Sequence, residues 1–530
     1  MLPGNGRRLQ PGKSGRPECY RTEYWVRKTR PVGRPEKKER GTDMKILFFD
    51  LDTVRADHLG CYGYGRATSP NIDEIAGSGV RFDNYYCPNA PCLPSRASLV
   101  SGQYGIINGV VGHGGTAADM RLEGAGRGFH SAFSRNNLFL QFRKAGYHTA
   151  SVSTFAERHS AWWFYAGFNE CYNVGKGGLE SAEEVMPVVR KWLNDHGRED
   201  NWLLHVNLWD AHTPYRMPPE RENVFADQPL SDDWIDEEVF RNHQNHIGPH
   251  SVREIAMWDD RVNPNYPRHP GKLENLAQVK NFIDLYDCGI RYMDECIGEI
   301  LQILKAQGTA PDDLAVIVTS DHGENMGELG IYGEHATADE PTCRIPMIIR
   351  WPGMQSGIVS RSFHTNVDLL PTVCDLLGTE KSPLYDGESY CETLKNGTET
   401  GADSVVLTQC AHVLQRSARF DRYLYIRTVY GGGHMFDEEM LFDVENDPHE
   451  QVNLAPERPD LVDKGARIVY NWQNKYMEKS PYQVDPMWTV LKEGGPEHAP
   501  RAQLEKYAER LEATGRDRKA YEERYHLNGK

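Results

Sequence analysis

Three things are scarce in this 530-residue chain, and each scarcity excludes a class of protein. No run of about 18 consecutive apolar residues occurs, so nothing in it reads as a membrane-spanning helix. Positive charge is outweighed: 60 Lys and Arg against 76 Asp and Glu give a net charge of -16, the wrong sign for general binding to nucleic acid or an anionic membrane. An anionic substrate would need a local cationic pocket. Paired cysteine spacings are missing as well. The eleven cysteines are odd in number, scattered and without a CxxC cluster, which reads as a reduced interior, no zinc site and a cytoplasmic protein.

What is present is an ordinary globular composition, 39% hydrophobic and 26% charged, long enough for one large core and a smaller second domain. Residues 1–43 are rich in Arg, Lys, Pro and Gly and have no apolar core, so this extension is expected to be disordered, with neither a signal peptide nor a foldable unit. Met44 opens the first strand-like run and is the expected start of translation.

Lys45 to Asp52 is a continuous apolar strand ending in acid, and a period of two puts Asp50 and Asp52 on one face. Strand-like runs follow at Val80–Tyr86, His148–Ser153, Trp202–Leu208, Leu314–Thr319 and Pro346–Arg350, with helical stretches between them. Ser181 and Glu184 form a capping-box pattern, and a long helix is expected from about Asn275 to Gln307. This alternation predicts an α/β domain over 44–386 with a large, mostly parallel sheet sandwiched by helices. The polar stretch 217–272 reads as an insertion near a substrate mouth. Short strands at 404–409, 422–430 and 440–444 and a helix near 459–476 predict a smaller antiparallel α+β domain over 387–484. A charged helical tail (485–530) is expected to serve as a packing surface.

Carboxyl ends of parallel strands gather at one rim of a sheet, so Asp52, the Asp321-His322 pair and the segment around Cys92 can converge there. Oxygen-rich ligands with one imidazole suit calcium or magnesium. The stretch from Pro88 to Tyr104 reads as an extended lead-in to a short helix from about Pro94, closed by Gly102. Free backbone N–H groups, the helix dipole and the Arg96 guanidinium make that start favourable for an anion.

Cys92-Leu93-Pro94-Ser95-Arg96 with Gly102 resembles the signature of type I sulfatases of the alkaline-phosphatase-like superfamily, in which the cysteine is oxidised to formylglycine. Leu51 to Gly63, Trp209 to Tyr215, Gly289 to Asp294, Ser320 to Glu324, Arg344 to Gly353 and Leu441 to Leu454 are similar to further landmarks of that family, in the family's order. The resemblance implies a sulfuric ester hydrolase whose metal is held by Asp52, Asp321, His322 and the modified Cys92, with Arg96 holding the hydrate and sulfate and His212 contacting sulfate. It also implies a transient maturation enzyme as partner. A metal would lower the pKa of a hydroxyl of the hydrate, which attacks sulfur; the second hydroxyl then expels sulfate.

Two departures from the family stand out. Thr53 follows Asp52 where many members have a second acid, so either Asp50 supplies another oxygen to the metal or the site has fewer carboxylates, the reading we favour. The two lysines usual in the family are replaced, with Arg158 and His159 the candidates for one and His335 for the other, as general acid. The polar insertion, with its His, Asp and Trp, favours a sulfated carbohydrate such as a glycosaminoglycan fragment. The competing expectations are a phosphonate monoester or phosphodiester hydrolase of the same superfamily, and a non-catalytic binding protein.

Overall fold

The computed structural model describes residues 44–121, 132–480 and 482–527. The basic extension 1–43, on which both the disorder and the translation-start expectations fall, lies outside the described residues.

The strand Lys45–Leu51 occupies the middle of an eight-stranded sheet, parallel to Trp202–Leu208 on one side and Leu314–Thr319 on the other. Beyond the first neighbour come His148–Val152 and Glu170–Tyr172, also parallel. Beyond the second, Met347–Arg350 runs antiparallel to both its neighbours, followed by Val80–Tyr86 and Ile358–Thr365. The three central strands are buried from end to end. Their continuous apolar runs have a simple cause: Ile46 and Phe48 face one core and Leu47, Phe49 and Leu51 the other, so both faces are covered.

Helices complete those faces. Ala182–His196 opens with the expected Ser181/Glu184 capping box, and Asn275 caps the 31-residue helix Leu276–Ala306 by accepting from Gln278 N–H. A Cβ at Gly289 would lie 2.6 Å from the Asp210 carbonyl oxygen, so glycine lets the long helix close on the loop that carries His212.

A second sheet holds Glu439–Asp443, Tyr423–Tyr430, Leu414–Phe420 and Ser404–Gln409 in antiparallel order. Its last strand pairs in parallel with Asn89–Ala90, two residues before Cys92. The smaller sheet is therefore stitched to the approach to the site.

The insertion 217–272 contains one short helix, Glu237–His243. It is held by the C-terminal segment: Trp258 packs with Leu504, Tyr507 and Leu511, and buried Glu254 accepts from Arg510 Nε (2.7 Å) and Arg516 Nη2 (2.6 Å). No helix among the described residues is long and apolar enough to cross a membrane.

Candidate active site

The chain turns sharply at the end of the central strand. Thr53 adopts φ 68°, a left-handed conformation unusual for a β-branched residue. Its N–H donates to Asp321 Oδ1 (3.1 Å) and its hydroxyl to Asp52 Oδ1 (2.8 Å), which offsets that strain and ties the ends of two neighbouring strands together.

Arg96 lies beneath this turn, fully buried. Its Nε and Nη2 donate to the two oxygens of Asp50 at 2.7 and 2.9 Å, Nη2 also lies 2.9 Å from Asp52 Oδ2, and Nη1 meets Asp321 Oδ2 at 2.5 Å. Burial works to raise the Asp52 pKa, but Arg96, His212 and His322 hold it well below the usual carboxylate range. Three buried carboxylates thus share one guanidinium, and burial with the neighbouring Asp52 and Asp50 pushes the Asp321 carboxyl above the usual range.

Of the two alternatives for Asp50, the geometry agrees with the favoured one: both of its oxygens are on Arg96, and it falls outside the compact ligand group described next. Arg96, expected to hold the hydrate and sulfate, here points its donors at the carboxylates.

The helix Cys92–Ser101 begins two residues earlier than the expected Pro94 and ends as expected at Gly102, with φ 66°. Cys92 therefore sits in its first turn. Asp52, Cys92, Asp321 and His322 each offer a ligand atom within 4.8 Å of the others. Cys92 Sγ is 3.0 Å from His322 Nε2, while His322 Nδ1 lies 2.8 Å from the Gly323 carbonyl. Since a carbonyl only accepts, Nδ1 carries the proton and Nε2 presents a lone pair to the group. Burial, then the nearby Asp52 and Asp321 carboxylates, push the Cys92 thiol up to about 12. A thiol so placed is not a nucleophile at neutral pH.

Around this floor stand several buried nitrogens without partners. His212 Nδ1 lies 2.6 Å from the Thr213 carbonyl, while its Nε2 has no hydrogen-bond partner and sits 3.9 Å from Asp52 Oδ1. Arg216 is 5% exposed; Nη2 donates to the Thr213 carbonyl (3.1 Å), but Nε and Nη1 donate to nothing. Burial, then the Arg158 charge, lower its pKa, as expected for a buried cation lacking a carboxylate. Arg96, Arg158 and Arg216 all lie over the Trp209 ring, at 5.4, 5.3 and 6.0 Å. His159 Nε2 is buried and unpartnered, and donor atoms of His159, His113 and Cys92 lie within 4.8 Å of one another.

His335 closes the other side. Its ring lies 4.0 Å from that of His322, with Nδ1 3.3 Å from Glu324 Oε2 and Nε2 2.9 Å from Glu334 Oε1. His335, His212 and Cys92 again share a 4.8 Å neighbourhood.

Residues 45–379 match the family described as Sulfatase. The chain belongs to the sulfatase family. Its members hydrolyse sulfuric esters, and among its relatives are an N-acetylglucosamine-6-O-sulfatase of Bacteroides thetaiotaomicron (24% identical, 86% of this chain and 90% of that protein) and a choline-sulfatase of Rhizobium meliloti (25%, 76% and 80%). Among solved structures, a protein in complex with its substrate D-glucosamine-2-N,6-O-disulfate aligns with TM-score 0.63 at 19% identity, covering 83% of this chain and 99% of that one. A phosphonate monoester hydrolase of Agrobacterium radiobacter aligns with TM-score 0.58 at 18% identity, covering 82% and 95%. These structures share the alkaline-phosphatase-like fold expected from the sequence.

The structure brings together nine of the ten residues that this sulfatase's sequence offered, with Asp50 one layer below. It adds Arg216, His113, Glu324 and Glu334. Arg216 follows directly on the Trp209–Tyr215 landmark, Glu324 closes the Ser320–Glu324 landmark and Glu334 precedes His335; His113 carries no local signal, because its partner His498 is 385 residues away.

Proposed function

We propose that this sulfatase cleaves sulfate monoesters, or sulfamates, on a sulfated carbohydrate, with Cys92 as the precursor of formylglycine. The observation that carries the reading is Cys92 in the first turn of a helix, within one ligand group with Asp52, Asp321 and His322 and beside unpartnered ring nitrogens of His212 and His159 and unpartnered N–H donors of Arg216. The substrate class is supported by relatives named as an N-acetylglucosamine-6-O-sulfatase and an ulvan-active sulfatase, and by the solved structure holding a glucosamine disulfate.

Asp52, Asp321, His322 and the oxidised Cys92 side chain would hold calcium, with magnesium the alternative. The residues fit: Asp52, Cys92, Asp321 and His322 each offer a ligand atom within 4.8 Å of the others, carboxylates outnumber guanidinium three to one, and the His322 lone pair faces the group. When bound, the ion neutralises charge on sulfate and favours an ionised hydroxyl. Formylglycine as its hydrate offers a hydroxyl where the native thiol is inert.

The chain's own residues supply the rest. Arg216 and Arg158 meet the sulfate charge in the role usual for lysines, since Arg96 is already engaged by three carboxylates. A fixed Nδ1 proton leaves His212 Nε2 free to take a proton. His335, held between Glu324 and Glu334, gives a proton to the departing oxygen. Trp209 and Phe155 cover Arg96 and keep water from the charged floor.

Mass analysis of the Cys92 peptide after co-expression with a formylglycine-generating enzyme, with turnover of sulfated mono- and disaccharides measured on the same sample, tests the reading. Formylglycine with sugar-sulfate turnover that is absent in Cys92→Ser is the expected result. An unmodified cysteine, or aryl phosphodiester turnover far above every sulfate, would overturn it.

A further inference from the structure

Glu334 ends the strand Tyr332–Glu334 and is buried, yet it faces three imidazoles. His335 Nε2 is 2.9 Å and His412 Nε2 3.7 Å from Glu334 Oε1, and His250 Nε2 is 3.1 Å from Oε2. These groups come from separate parts of the chain: His250 from the insertion, His412 from the turn between Ser404–Gln409 and Leu414–Phe420, and Glu334 from beyond the central strands. The donor atoms of His250, Glu334 and His412 lie within 4.8 Å of one another, and all three side chains are buried.

The geometry is not that of a simple carboxylate–imidazole network. His250 Nε2 is close to Glu334 but is not aligned to donate to it, and both of its ring nitrogens are buried without a hydrogen-bond partner. His412 Nε2 stands beyond hydrogen-bond length from the same carboxylate. Buried ligand atoms gathered this closely with their hydrogen-bonding capacity unmet are able to serve a common centre. The surrounding chain supports this placement at some cost. His250 adopts φ 55°, its N–H donates to the Met257 carbonyl (2.8 Å) and its carbonyl accepts from Tyr332 N–H (2.8 Å), so a left-handed residue is pinned from both sides. His412 is stacked on His498 at 4.3 Å, which fixes its ring plane.

We propose that His250, Glu334 and His412 form a second metal centre, for a borderline divalent ion of the zinc class. Two imidazole nitrogens and one carboxylate oxygen are a zinc ligand set that leaves a fourth position open. Softer donors distinguish it from the oxygen-rich group at Asp52 and Asp321, which suits calcium or magnesium. The sequence reading of no zinc site rested on cysteine spacing alone and did not consider this set, which uses no thiolate. His335 lies between the two centres, with its ring over His322 and Nε2 on Glu334, so the second centre sets the orientation of that side chain.

The test is zinc binding to the metal-stripped full-length protein in excess calcium, followed by calorimetry and by the visible absorption of Co2+ in place of zinc. One zinc per chain and an intense four-coordinate Co2+ spectrum are expected. His250→Ala/His412→Ala should weaken zinc by at least about 100-fold and abolish that spectrum. Zinc should raise Tm for the parent but not for the variant. Should the double variant fail to fold, Glu334→Gln and His412→Gln are read the same way. No zinc uptake by the parent, or uptake and spectrum unchanged in folded variants, overturns the proposal. Because the readouts are binding and spectra, they stand apart from formylglycine formation and sulfatase turnover.

Discussion

Arg96 and Asp50 form a two-point ion pair below Cys92, with Nε 2.7 Å from Oδ2 and Nη2 2.9 Å from Oδ1. Under the proposed reading, the guanidinium of Arg96 is occupied by carboxylates, and a second cation has to meet the sulfate. Arg216 has the free donors. Arg216→Met is expected to lower kcat/KM for sulfate esters by about 10²-fold, the usual cost of removing one donor to developing negative charge, and to weaken product inhibition by inorganic sulfate. Kinetics that match the parent on both counts would reduce Arg216 to a packing residue on Trp209.

Replacing His335 should depend on the leaving group. An alkoxide needs protonation on departure far more than an activated phenolate does. His335→Ala is therefore expected to slow alkyl or sugar sulfates markedly more than nitrophenyl sulfate, read as the ratio of the two kcat/KM values. An equal loss on both would remove the general-acid role.

Asp321 connects Arg96, the Thr53 turn and the donor group. Asp321→Asn keeps its shape while removing one of the carboxylate charges. Calcium affinity by calorimetry should fall by about 10- to 100-fold, with the folded circular dichroism spectrum retained. Calcium bound as tightly as in the parent would place the ion elsewhere.

Glu328 gives a stability prediction away from the chemistry. Burial works to raise its pKa, but Arg55 (2.9 Å) and His449 (3.0 Å) hold it down to about 2. A carboxyl depressed in the folded state stabilises at pH above its unfolded value of about 4.5, and that contribution, about 3 kcal/mol, is lost as pH falls from about 4.5 to 2. Urea midpoints should drop across that window. Glu328→Gln should be less stable at pH 7 and show a flatter profile; a parent profile already flat from pH 5 to 3 would contradict the coupling.

Much of this was legible in the chain. The strands ending at Leu51, Leu208 and Thr319 read clearly because burial on both faces makes an unbroken apolar run. Ile358–Thr365 and Leu414–Phe420 did not. Arg416 and Arg419 in the latter are buried against Asp485 and Glu340, partners far along the chain, so the alternation that marks a half-exposed strand is overwritten. The period-two reading rightly grouped Asp50 with Asp52 on Arg96, but which of the two an ion could reach depends on the depth of that arginine. Likewise, the tail read as a charged packing surface, although His498 within it lies 3.1 Å from His113 and stacks on His412.

Cys92 is 1% exposed, beneath a helix start and next to the seam that joins the two sheets. Once the native structure has formed, no other protein can touch its sulfur without unfolding that seam. If Cys92 is the formylglycine precursor proposed above, its oxidation competes with folding and belongs to the nascent or unfolded chain. On that reading, a variant that folds faster, or a cell short of the oxidising enzyme, would accumulate a well-folded protein locked in its unmodified, inactive form.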